Sequence, residues 1–116
     1  METARIPGAS SLIPLLAARM AQKSGQTETS IVFLKTMYAK AKDKNTKRLL
    51  ENRIKAHTGI LVLEKAIKVF RNKYGFRPNS LEDLISKGVL SKLPKNPYDI
   101  HYYYNPKTQE ISFTRF

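Results

Sequence analysis

The hydrophobic and polar positions between Ile60 and Phe76 form the clearest pattern in the chain. Ile60, Leu63, Ile67, Phe70 and Tyr74 recur at spacings of three and four, the signature of one helix face. Glu64, Lys65, Lys68, Arg71 and Lys73 fall largely off that stripe, where charge stays solvated. Gly75 follows the last periodic residue and suits the left-handed position that ends a helix. Leu49, Leu50, Ile54 and Ala56 roughly continue the stripe upstream. One long helix from Thr46 to Tyr74 would therefore carry Gly59 inside it, at about 1 kcal/mol relative to alanine. The favoured reading places a kink or break near Thr58-Gly59.

Upstream, the pattern predicts short helices. Residues 1–10 are polar and broken by Pro7-Gly8, and read as a tail or an inter-helix turn. Ser10 or Ser11 caps a helix to about Ser24, with Leu12, Leu15, Leu16 and Met20 as its apolar face and Pro14 in its tolerant first turn. Gly25 ends it. Thr27 or Thr29 opens a second helix to about Lys42, with Ile31, Leu34, Met37, Tyr38 and Ala41 buried. Residues 43–45 form a turn, and a third helix starts at Asn45 or Thr46.

The character changes after Gly75. Ser80 is the expected N-cap of a short helix, with Asp83 completing a capping-box-like pair and Gly88 closing it. Val89, Leu90 and Leu93 pack next, and Pro94 and Pro97 stiffen the linker. Ile100 to Tyr104 reads as a strand with Ile100, Tyr102 and Tyr104 on one face. Residues 105–109 turn, and Glu110 to Phe113 returns with Ile111 and Phe113 inward. A lone hairpin is marginal in water, so this one must lie on the central helix. The expected fold is mainly α with a small β-hairpin: a helical hairpin, a long helix, a short helix, and a C-terminal β-hairpin packed on the long helix. The boundary between the two parts is expected at residues 57 and 58.

Two stretches resemble known families. Ala17, Ala18, Gly25, Ser30, Leu34 and Met37 resemble the small, turn and apolar positions of a tetratricopeptide repeat over roughly residues 10–42, although the usual aromatic of the first helix is absent. An ordinary helical hairpin fits the same positions. Tyr74, Pro78, Ser80, Leu81, Leu84, Gly88, Leu93, Pro94, Pro97, Tyr98, Tyr102 and Tyr104 resemble the soluble domain of type II secretion major pseudopilins. Asn96 and Tyr98 stand where that family has Asp and Trp. Asp99 and Glu110 alone supply too few oxygens for the calcium site such domains carry. The fold is therefore the part of the likeness expected to hold, not fibre formation or calcium binding. Together the two likenesses resemble bacterial repeat proteins with an N-terminal membrane anchor. That implies the terminal part of a larger, membrane-associated protein, with this region facing the periplasm; a cytoplasmic location is the alternative.

Composition narrows the roles further. The 116 residues are 41% hydrophobic, enough for one core. No apolar run is long enough to span a bilayer, and the N-terminus lacks the basic-then-apolar order of a secretory signal. Cysteine is absent, which excludes disulfides and thiolate metal sites. The net charge is +12, and Lys35 to Arg77 holds 13 basic residues against three acidic ones, a net of +10. A solvated amphipathic surface accounts for such a segment; the functional alternative is attraction to an acidic protein, nucleic acid or anionic lipid.

Catalytic signals are weak. His57 and His101 are the only histidines and do not form a metal-binding pair, and no nucleophile elbow or phosphate-binding loop is present. No cofactor is expected. The reading is a non-enzymatic protein-interaction module with a partner that is another protein, and acidic. Lys47, Arg48, Arg53, Lys55 and Tyr103 are the candidate contact residues. The alternatives are a basic nucleic-acid-binding helical domain and an accessory subunit of a pilus or secretion system.

Overall fold

A computed structural model of the protein describes residues 12–116, with side chains from residue 25 onward. The expected cap at Ser10 or Ser11 and the apolar face of Leu12, Leu15, Leu16 and Met20 lie outside the described residues and side chains. The protein is mainly helical, with one small two-stranded antiparallel sheet.

Helix α1 runs from Leu12 to Lys40 and helix α2 from Lys44 to Tyr74. The two pack against each other across a short connection, which makes them antiparallel neighbours. This corrects the expected chain path at Gly25. No turn forms there, and all six tetratricopeptide-like positions fall in the single helix α1. Thr27 and Ile31 are buried on the far side of Gly25. Packing α1 along α2 therefore outweighs the roughly 1 kcal/mol that one helical glycine costs. The reversal comes at Asp43 instead. Its carboxylate accepts from the Thr46 amide (2.9 Å) and hydroxyl (3.0 Å), a side-chain cap that opens α2 at Lys44.

Helix α2 has no break at Thr58-Gly59 either; the single-helix alternative is the one adopted. The boundary expected at residues 57 and 58 thus falls inside a helix. Gly59 is buried because the Tyr102 ring lies directly on it, and a Cβ there would overlap the Tyr102 hydroxyl. The glycine marks a close approach and leaves the helix unbroken. Gly75 ends α2 as expected, at φ 79°, with its amide donating to the Arg71 carbonyl (2.8 Å).

Helix α3, Glu82–Ser86, is one short piece. Leu81 takes the N-cap position, with no side-chain cap bond, so the expected Ser80 cap does not form. The Asp83 carboxylate reaches back to the Asn79 amide (2.9 Å) and performs that part of the box. Strands β1, Tyr103–Asn105, and β2, Glu110–Ser112, pair with Tyr103 opposite Ser112 and Asn105 opposite Glu110. The first strand starts later than expected. Ile100 is 91% exposed, so it does not share the inward face with Tyr102 and Tyr104. It lies in the loop before the sheet, where nothing packs opposite it.

The core is the expected stripe of α2 closed by this cap. Leu63, Ile67 and Phe70 are fully buried and meet Leu81, Leu84 and Tyr102, with Val89, Leu93, Ile111 and Phe113 filling the edges. Three expectations about single side chains fail. Met37 on α1 and Leu49 on α2 are exposed, and Glu64 is buried at 3% exposure.

Candidate interaction surface

The Tyr102 hydroxyl ties the cap to α2, while Asn96 and Tyr104 hold the cap together. Tyr102 sends its hydroxyl into α2, 3.0 Å from the Ala56 carbonyl and 3.3 Å from that of Lys95. Burial pushes its pKa up to about 12. Asn96 is buried, and its amide donates to the His101 (2.9 Å) and Phe113 (2.8 Å) carbonyls while its oxygen accepts from the Tyr98 amide (3.0 Å). The Tyr104 hydroxyl donates to the Pro78 carbonyl (2.8 Å), and burial likewise raises its pKa to about 12. These contacts leave α2 with three sides. One meets the cap, one meets α1, and one is open to solvent.

The four basic residues expected to form one contact face divide among those three sides. Arg53 belongs to the cap side, with its guanidinium over the Phe113 ring (5.4 Å) and the Tyr98 ring (5.9 Å). Lys47 stands at the border between the open side and α1 and turns toward α1, with its ammonium 4.9 Å from the Tyr38 ring centre. Arg48 and Lys55 lie two turns apart and share the open side. Tyr103 sits elsewhere, on the surface of the sheet. Its hydroxyl donates to the Asp99 carboxylate (2.6 Å), His101 packs edge-on against its ring and Arg115 lies over it. The Tyr103 bond, followed by the Ile100 amide and the nearby His101 and Arg115 charges, holds the Asp99 carboxyl below the usual carboxylate range. Tyr103 is half-buried in this polar cluster and does not join the basic surface.

The open side of α2 carries more than its two expected members. Arg48, Lys55, Val62 and Val69 recur every seven residues, which keeps them on one side over six turns. Val62 is 40% exposed and Val69 52%. Lys65 and Lys73 follow at helical neighbour spacing and are exposed. Beside Val62 the loop at Lys92–Lys95 forms the other wall of a cleft of about 350 Å³, lined by Val62, Leu93 and Pro94 and edged by Lys92 and Lys95. Reading the sequence missed this surface. Its signal was available in two valines seven residues apart, each one residue before a core position (Leu63 and Phe70), with lysines nearby.

The histidines do not meet. His57 packs on Phe113 with Nδ1 2.9 Å from the Arg53 carbonyl, whereas His101 belongs to the Tyr103 cluster. Among the described residues no three acidic or histidine side chains gather in a metal-binding group, and no helix is long and apolar enough to cross a membrane. Comparison with protein-family models, curated proteins and solved structures finds no match to this chain.

Proposed function

We propose that this chain is a non-enzymatic interaction module whose open α2 side receives an acidic protein. The observation that supports this reading is the mixed stripe of Arg48, Lys55, Val62, Lys65, Val69 and Lys73 on a helix whose other two sides are already occupied. A single exposed ion pair contributes about 0.2–1 kcal/mol, so several must act together. Such pairing is screened by salt over a Debye length of roughly 8 Å at physiological ionic strength. Exposed valines between the cations add apolar contact that salt does not screen. An acidic surface with apolar residues among its carboxylates matches both components.

Nucleic acid is the second reading, favoured by the +10 segment between Lys35 and Arg77. It predicts affinity falling steeply and linearly in log–log form with salt. A photo-crosslinking side chain at exposed Thr58, between Lys55 and Val62 on α2, separates the two in the native host. The expected product is a discrete, nuclease-resistant protein adduct that disappears when Lys55 and Lys65 are both changed to Glu. A nuclease-sensitive adduct, or one indifferent to the charge reversal, would overturn the acidic-protein reading.

A further inference from the structure

We infer that the cleft beside Val62 is an anchoring site for one bulky apolar side chain, presented by an acidic segment of a partner protein. This inference rests on the interaction reading and specifies the chemistry of the partner. The cleft is built in advance. Its loop is tied at one end by the Val89 and Leu90 amides, which donate to the Leu84 carbonyl (2.9 and 3.0 Å). At the other end the Lys95 carbonyl meets the Tyr102 hydroxyl, and Asn96 is held by its three hydrogen bonds. Pro94 restricts the backbone between those ties. The space between Val62 and Leu93–Pro94 therefore stays open without any cost of forming it on binding.

The lining selects the occupant. The walls are aliphatic, and each ionisable residue of the lining is a lysine. Lys65 follows Val62 by less than one turn and adds a cation on the α2 side. Carboxylates flanking an inserted apolar group would reach Lys65 on one side and Lys92 or Lys95 on the other. A nucleic acid finds no aromatic ring in the cleft for stacking, the interaction that holds unpaired bases on protein surfaces. An anionic bilayer would meet the lysines, but its headgroup plane does not fill a concave apolar space. Charge and shape together fit an acidic peptide with an apolar anchor.

The test uses the whole chain and a labelled peptide of glutamates around one central Phe, read by fluorescence anisotropy. A matched peptide with Ala in place of Phe, an oligonucleotide of equal charge and phosphatidylglycerol vesicles serve as competitors. The Phe peptide is expected to bind about ten- to hundredfold more tightly than the Ala peptide, the gain from burying one large apolar side chain. Val62→Gln should erase that difference while leaving the weaker charge-driven binding. Lys92→Gln together with Lys95→Gln should weaken both peptides alike. Both sets lie on the surface, and an unchanged melting curve establishes folding. Equal binding of the Phe and Ala peptides, or a Phe advantage that survives Val62→Gln, overturns the anchor while leaving the interaction reading intact. Preferential binding of the oligonucleotide or vesicles overturns both.

Discussion

Leu49 and Leu63 lie on the same face of the same helix and end in opposite environments. Leu49, Ala56, Leu63 and Phe70 recur every seven residues along α2, yet Leu63 is fully buried and Leu49 is 68% exposed. Helical period alone cannot separate them. The difference lies in what stands opposite. Tyr102 and Phe113 carry the cap as far as Ala56, Arg53 and His57, and it stops there. Beyond that point α2 has only α1 beside it. Periodicity assigns a face, whereas burial depends on a partner that comes from elsewhere in the chain.

The sharpest way to break this comparison is to remove a large side chain under the cap. Phe70 is fully buried and packs against the rings of Tyr74 and Phe76 at 4.9 and 5.6 Å. Phe70→Ala should cost about 3–5 kcal/mol, combining lost transfer energy with a cavity that cannot fully collapse. Urea unfolding checks this. A loss near zero would mean the cap does not close on α2 at all.

Asn96→Asp comes next, and it probes the cap from within. The amide nitrogen donates to two carbonyls, which a carboxylate cannot do. The variant would bury a negative charge beside two acceptors and leave both without a donor, a loss of about 2–4 kcal/mol. Such a carboxyl would have a raised pKa in the folded state. Stability would then be recovered as pH falls and the acid becomes neutral. A variant melting like the parent at neutral pH would remove Asn96 from the account of how the cap is held.

Gly59→Ala should cost less, about 1–3 kcal/mol, because the added methyl overpacks against Tyr102 and outweighs the gain in helix propensity. If the variant were more stable instead, Tyr102 could shift freely and its bond to Ala56 would contribute little.

The glycines also show how much of the fold the sequence displayed. The stripe through Leu63, Ile67 and Phe70, the stop at Gly75 and the C-terminal hairpin were all legible, since each rests on local periodicity or local backbone demand. Gly25 and Gly59 were not. A glycine in a helical pattern signals a break, a close contact or nothing, and only its neighbours in space decide which. At Gly59 the neighbour is Tyr102, far along the chain. The candidate surface was harder still. Arg48 and Lys55 were found, but Arg53 left the patch because the cap took its side, and Lys47 because its ammonium is drawn onto the Tyr38 ring of α1. The cleft joins Val62 to Leu93 and Pro94, residues that no sequence window connects.

Leu49 itself provides the smallest effect and the cleanest control. On the periodic stripe alone, replacing it with Gln would count as a core substitution costing several kcal/mol. In the folded chain it faces solvent beyond the reach of the cap, and surface changes of this kind stay within about 0.5 kcal/mol. Gln is also a good helix former, so backbone propensity adds almost nothing. Leu49→Gln should therefore melt with the parent, while Leu63→Gln on the same face should unfold the protein or nearly so, leaving a buried amide among aliphatic neighbours. A large loss at Leu49 would mean that something covers the first half of α2 in solution, either a second copy or a contact within the chain. Repeating the melt across protein concentration distinguishes these, since a second copy makes the melting temperature rise with concentration and a contact within the chain does not.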